Sequence, residues 1–194
     1  MTTERLPLED LPPAPTGAPF DLLDGVRVLD LTTSIAGPYA TLLLADYGAD
    51  VVKIERPGSG DDARAWGPPF LDGDSLWFMS VNRNKRSVAI DYTVDPGRTL
   101  FEKLVAAADV VVLNQVPRVQ EKLKTDPASL QKLNPGLIVA SVTGFGLTGE
   151  RRDKPCYDLI AEGYSGVMDL TGEPDSPPQK VGTPAADLLA GHDL

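Results

Sequence analysis

In PAADLLAG, residues 184–191, a single charged group, Asp187, stands among small and apolar neighbours. A carboxylate so isolated is a candidate nucleophile or base. It equally suits the first turn of a helix that Thr183 caps and Pro184 begins, where it would only complement the helix dipole. Two basic clusters are candidates for holding an anion: Lys53 and Arg56 in VKIERPGSG, and Arg83, Lys85 and Arg86 in NRNKRS. Arginine forks onto phosphates and stacks on planar bases, so these clusters suit a nucleotide with several phosphates, or a solvated loop beside a strand. A third feature is the turn TTSIAGPYA, residues 32–40. Backbone N–H groups at a helix start stabilise a developing oxyanion or a thiolate, although an ordinary tight turn reads the same way.

Other chemistries are poorly served. A Ser-His-Asp or Cys-His nucleophile would have to rest on the single histidine, His192, at the end of the chain, and the single cysteine, Cys156, excludes an intrachain disulfide and a CxxC motif. No histidine-rich metal spacing exists, Asp61 and Asp62 in GSGDDAR read as a solvated loop pair, and no metal is expected. A formal charge of −10 argues against nonspecific nucleic-acid binding, which depends on Lys and Arg releasing counterions. The start, MTTERLPLED, has no apolar targeting core, and no apolar run approaches membrane-spanning length. A cytoplasmic protein with no membrane partner is expected.

The elements that must position these residues follow from the hydrophobic pattern. VRVLDL (26–31) and ADVVKIE (49–55) read as buried strands around a helix in YATLLLADYG, with Pro38 at its start and Gly48 at its stop. SVAIDY (87–92), DVVVLN (109–114) and GLIVASVTGFG (136–146) read as further strands. Between them lie a helix in DPGRTLFEKLVAAA capped by Asp95 and another near 127–133; a third spans 154–174, its tyrosines read as core or interface residues. The alternation predicts an α/β protein, a Rossmann-like open parallel sheet with helices on both faces. Residues 1–20, with five prolines, read as a flexible leader to a domain over 21–194. The first strand–helix turn lacks GxGxxG, so a dinucleotide site is weakly indicated.

Taken in order from about residue 22, the segments LDGVRVLDLTTSIAGPYATLLLADYGADVVKIERPGSGDDAR, NRNKRSVAIDY, DVVVLNQVP, IVASVTGFGLTG, YDLIAEGYSGVMDLTGEPDSPPQKVG and PAADLLAG resemble the family III CoA-transferases, or CaiB/BaiF family. The resemblance implies that Asp187 is the nucleophile, that coenzyme A enters as an acyl-CoA substrate, and that CoA moves to a free carboxylic acid through an aspartyl anhydride and an aspartyl-CoA thioester. It maps CoA contacts to Arg56, Asn84, Lys85, Arg86, Asn114 and Lys122. It places Ser34 and Ile35 near the thioester; Ile35 replaces a glutamine, leaving only a backbone donor. Tyr157 stands where related racemases carry histidine, and a phenol, ionising near pH 10, is poorly suited to their proton transfer at neutral pH. Small neighbours Ala185, Ala186 and Gly191 leave room for acyl group and thioester. Because family members are about twice as long, residues 21–194 are expected to be only the N-terminal half of the large domain, an incomplete fold partnered by a second copy or a complementary C-terminal half. A non-catalytic CoA-binding or assembly module and a racemase-like enzyme are the alternatives.

Overall fold

The β-prone runs form the strands of a computed structural model that describes residues 21–194. The leader expected over 1–20 lies outside the described residues. In chain order the elements are β1 (Arg27–Asp30), α1 (Ala36–Asp46), β2 (Asp50–Glu55), a 3-10 turn (Asp62–Ala65), β3 (Phe70–Leu71), β4 (Asp74–Ser75), α2 (Leu76–Asn82), β5 (Arg86–Ala89) and α3 (Gly97–Ala107). They continue with β6 (Val110–Leu113), α4 (Pro117–Leu123), α5 (Pro127–Leu133), β7 (Ile138–Ser141), α6 (Asp158–Ser165) and α7 (Ala185–Asp193). Five strands make one parallel sheet in the order β5-β2-β1-β6-β7, while β3 and β4 form a separate antiparallel ribbon.

Because successive side chains of a strand point to opposite faces, the sheet sorts its residues into two cores. Leu29, Ile54, Val111 and Leu113 pack with Phe101 and Val105 of α3 and Leu130 of α5. Val28, Val51 and Val112 face the other way, onto Ala45 of α1. On that same side α7 packs against α1. Gly191 permits the approach, since a Cβ there would collide with the carbonyl of Ala36. The smallness of Gly191 therefore serves helix contact, and the expectation that it opens space for substrate is corrected.

Three local readings change. The helix expected over 154–174 is limited to α6: it begins after Pro155, and Gly166, at φ 81°, ends it in the left-handed region. Asp95 does not cap α3, whose N-cap is Pro96; its carboxylate instead accepts from the Thr99 hydroxyl at 3.2 Å. Thr183 does not cap α7, where Pro184 holds the N-cap position without a side-chain hydrogen bond.

Candidate active site

In this strand order the chain leaves β1 toward β2 on one side and later returns to pair β6 on the other. Open α/β sheets bind ligands beyond the carboxyl ends of strands at such a switch point. A cleft of about 380 Å3 lies there, lined by Thr33 and Ser34 after β1, Asn114 and Gln115 after β6, Thr143 after β7, and Tyr157 and Asp187 across the opening. A second cleft, about 580 Å3, shares Thr33 and Gln115 with the first and extends past Arg56 and Tyr92. Within the first cleft wall, Gln115 Oε1 and Thr143 Oγ1 are buried with no hydrogen-bond partner.

Asp187 sits half-buried in the first turn of α7. Burial pushes its carboxyl up to about 6, and the neighbouring carboxylate of Asp158 adds to the rise. Asp158, at the start of α6, is itself buried, and its Oδ1 accepts from the backbone N–H of Ala186 at 2.9 Å and of Asp187 at 3.2 Å. Burial, with Asp187 nearby, also pushes the Cys156 thiol up, which disfavours the thiolate of the cysteine lining this cleft. A carboxylate that is destabilised by its surroundings is more basic than one in water. It is nevertheless mostly ionised at neutral pH, the combination a nucleophile needs.

The sequence pattern of CoA-transferase family III matches residues 23–193. The chain belongs to this family. The family III chain is 44% identical over 169 residues to the succinyl-CoA:glutarate CoA-transferase of Mus musculus, an alignment covering 87% of this chain and 39% of that protein. It is 51% identical over 176 residues to the succinyl-CoA:mesaconate CoA-transferase of Haloarcula hispanica, covering 86% and 44%. Among solved structures, a CaiB/BaiF family protein from Brucella suis superposes with a TM-score of 0.82 at 42% identity, over 89% of this chain and 48% of that one. A protein from M. tuberculosis gives 0.82 at 36% identity, over 91% and 48%.

The chain thus spans less than half the length of these relatives. The expectation of a resemblance confined to an N-terminal half, and of an incomplete fold, is corrected. Family identity extends over nearly the full chain, and the solved structures follow its fold over 89–91% of its length. The physical basis is visible in the sheet, where each face closes its own apolar core.

Of the residues that family resemblance singled out, four meet at the first cleft: Ser34, Asn114, Tyr157 and Asp187. Ser34, at φ 75°, already donates its N–H to Asp61 Oδ1 at 3.3 Å. Asn114 is likewise engaged, giving Nδ2–H to the carbonyl of Thr33 at 2.7 Å and accepting from the Thr33 N–H at 3.2 Å. It braces the β1–α1 turn. Tyr157 is 66% exposed, and Tyr164 is also exposed, packed edge-on against Phe145 and under Arg151, so neither is a core residue. Arg56 lines the second cleft and pairs with Asp62 on the surface.

The remaining five lie elsewhere. Ile35 is buried as the N-cap residue of α1. Arg86 begins β5 and forks onto Asp50, which begins β2, at the amino ends of the strands and so opposite the clefts. Asn84 turns to Asp46 at the end of α1, at 2.8 Å. Lys122 is exposed on the last turn of α4 and lines neither cleft. Lys85 is corrected most plainly: its ammonium is buried and donates to Asp30 Oδ2 at 3.0 Å and to Pro38 O and Asn82 Oδ1, each at 2.8 Å. Burial pushes Lys85 down to about 8 against the pull of Asp30.

Lys85 belongs to a buried ionic network beneath the β1–α1 turn. Lys53 pairs with Asp61 at 2.9 Å and lies 3.9 Å from Asp30, while donating to the Thr32 carbonyl at 2.8 Å. Asp61, expected in a solvated loop, is 1% exposed: Lys53 balances its charge, and its Oδ1 accepts from the amides of Ser34 and Ala63. Burial pushes the Asp30 carboxyl up, but Lys53, Lys85 and the Thr32 and Thr41 hydroxyls outweigh it and hold it well below the usual carboxylate range. Beside the second cleft, Glu55 binds Arg64 through both oxygens at 2.7 Å and accepts from the Asp61 N–H at 2.9 Å. Among the described residues no group of three or more His, Cys, Asp or Glu is arranged for a metal, and no helix is long and apolar enough to cross a membrane.

Proposed function

We propose that the protein is a CoA-transferase in which Asp187 is the nucleophile, moving CoA between an acyl-CoA thioester and a free carboxylic acid. The observation that carries this reading is the placement of Asp187, half-buried at the switch-point cleft with its carboxyl raised to about 6. Membership of family III supports the same reaction class.

In the first step an Asp187 carboxylate oxygen attacks the thioester carbonyl, forming a mixed anhydride and releasing CoA thiolate. The thiolate attacks the aspartyl carbonyl of that anhydride, expels the donor acid as its carboxylate and leaves an aspartyl-CoA thioester. The acceptor carboxylate attacks this thioester, giving a second anhydride and CoA thiolate. Attack of the thiolate on the acceptor's acyl carbonyl then yields the new acyl-CoA and regenerates the Asp187 carboxylate. Carboxylate and thiolate exchange an acyl group at every step, so the protein supplies position and charge stabilisation. The adjoining second cleft, with Arg56 at its mouth, is our candidate for the nucleotide end of CoA. The two curated relatives above are named for succinate with glutarate or mesaconate, all dicarboxylic acids, and a further one for acetyl-CoA with oxalate, so we propose a small dicarboxylate as acceptor. A racemase reading lacks a histidine at Tyr157.

The test is intact-mass and peptide mass spectrometry after incubation with succinyl-CoA and hydroxylamine. Conversion of Asp187 to its hydroxamate, lost in Asp187→Ala, is the expected result. Capture at another residue, or undiminished capture in Asp187→Ala, would overturn the assignment.

A further inference from the structure

The helix that carries Asp187 is not capped by its own residues. Pro184 makes no side-chain hydrogen bond, and the amides of Ala186 and Asp187 are satisfied by Asp158 Oδ1, from α6. One turn along α6, Glu162 is 1% exposed; its Oε2 accepts from the Val181 N–H at 3.0 Å, and its Oε1 is buried with no hydrogen-bond partner. Leu159, Ile160 and Tyr164 of this helix are exposed. Burying two carboxylates in place of these apolar side chains is unfavourable unless the backbone groups they accept are worth holding. Both acids, four residues apart, reach the same stretch, residues 181–187.

We infer that Asp158 and Glu162 are positioning residues that clamp the approach to α7: Glu162 fixes the chain at Val181, and Asp158 sets the start of the helix so that Asp187 faces the cleft. The inference rests on the reading of Asp187 as nucleophile. The titratable groups on elements packed against α7 are Asp158, Glu162 and Tyr164 on α6, Cys156 and Tyr157 just before it, and Tyr39 and Asp46 on α1; α7 itself adds His192 and Asp193. No lysine or arginine lies on any of the three helices. Asp158 therefore has two separable effects on Asp187, a hydrogen-bonded hold on its amide and a like charge near its carboxyl.

Amide hydrogen exchange on the full chain, read by NMR, separates them. Asp158→Ala is expected to speed exchange at Ala186 and Asp187 by about tenfold or more, the loss of a charge-assisted bond. Glu162→Ala is expected to do so at Val181. Asp158→Asn keeps an acceptor oxygen and removes the charge, so protection should persist while the Asp187 carboxyl titration moves to lower pH; general loss of stability would not move it. Unchanged exchange at Ala186 and Asp187 in folded Asp158→Ala would overturn the clamp. Where that variant does not fold, unchanged exchange at Val181 in folded Glu162→Ala overturns it. Neither readout needs acyl transfer, so failure of the clamp is distinguishable from failure of hydroxylamine capture at Asp187.

Discussion

Leu113 at the end of β6 is 0% exposed, whereas Leu170 beyond α6 is 86% exposed. The two leucines typify their regions. In the central strands β1, β2 and β6, apolar side chains turn inward on both faces, and the charges buried beside them, Asp30, Lys53, Lys85 and Asp61, neutralise one another. In α6 the sorting is reversed, with Asp158 and Glu162 inside and Leu159, Ile160 and Tyr164 outside. The sheet is organised by burial of apolar area, and α6 by the backbone amides it must satisfy. Asp187 stands where these two regimes meet, one wall of its cleft built by sheet loops and the other by α6 and α7.

Breaking the first regime should have the largest effect. Asp30→Ala leaves two buried ammonium groups without their shared partner, a loss of about 3–5 kcal/mol, measurable by chemical denaturation. A smaller loss would mean that Asp61 alone can hold Lys53 and Lys85. At the junction, Gly191→Ala pushes α7 from α1 and should cost about 1–3 kcal/mol while reducing hydroxylamine capture at Asp187. Normal capture in that variant would show that α7 can move without disturbing Asp187. On the outer face of α6, Ile160→Ser should change stability by no more than about 0.5 kcal/mol, because the side chain is already 44% exposed. A larger change would erase the contrast between the regions.

The central strands were legible because their β-branched runs are nearly continuous, and β2 and β6 appear within a residue of where ADVVKIE and DVVVLN place them, whereas β7 keeps only Ile138–Ser141 of the run expected over 136–146. Asp187 stands out in the sequence because it is isolated in charge and because the surrounding segments resemble a known family. The partners of the buried charges were not legible. Lys85 reaches Asp30 across a large sequence separation, and nothing local to NRNKRS distinguishes such a residue from one awaiting a phosphate. Helix α6 misled for another reason: apolar spacing marks a face without saying which way it turns. Asp158 reads locally as an ordinary acid in a first helical turn, although its four-residue spacing from Glu162 was the available sign of a shared inward face.

The central claim is that the cleft destabilises the Asp187 carboxylate enough to make it a nucleophile. Its folded value of about 6 lies above the ordinary 3.8, so the charged form weakens the fold at neutral pH, and that penalty disappears as pH falls below the unfolded value. The most direct measurement is a 13C NMR titration of the carboxyl groups of the aspartate-labelled full chain, with Asp187 assigned by its absence in Asp187→Asn. A midpoint near 6 is the expected result. A midpoint at or below the ordinary 3.8 would contradict the claim.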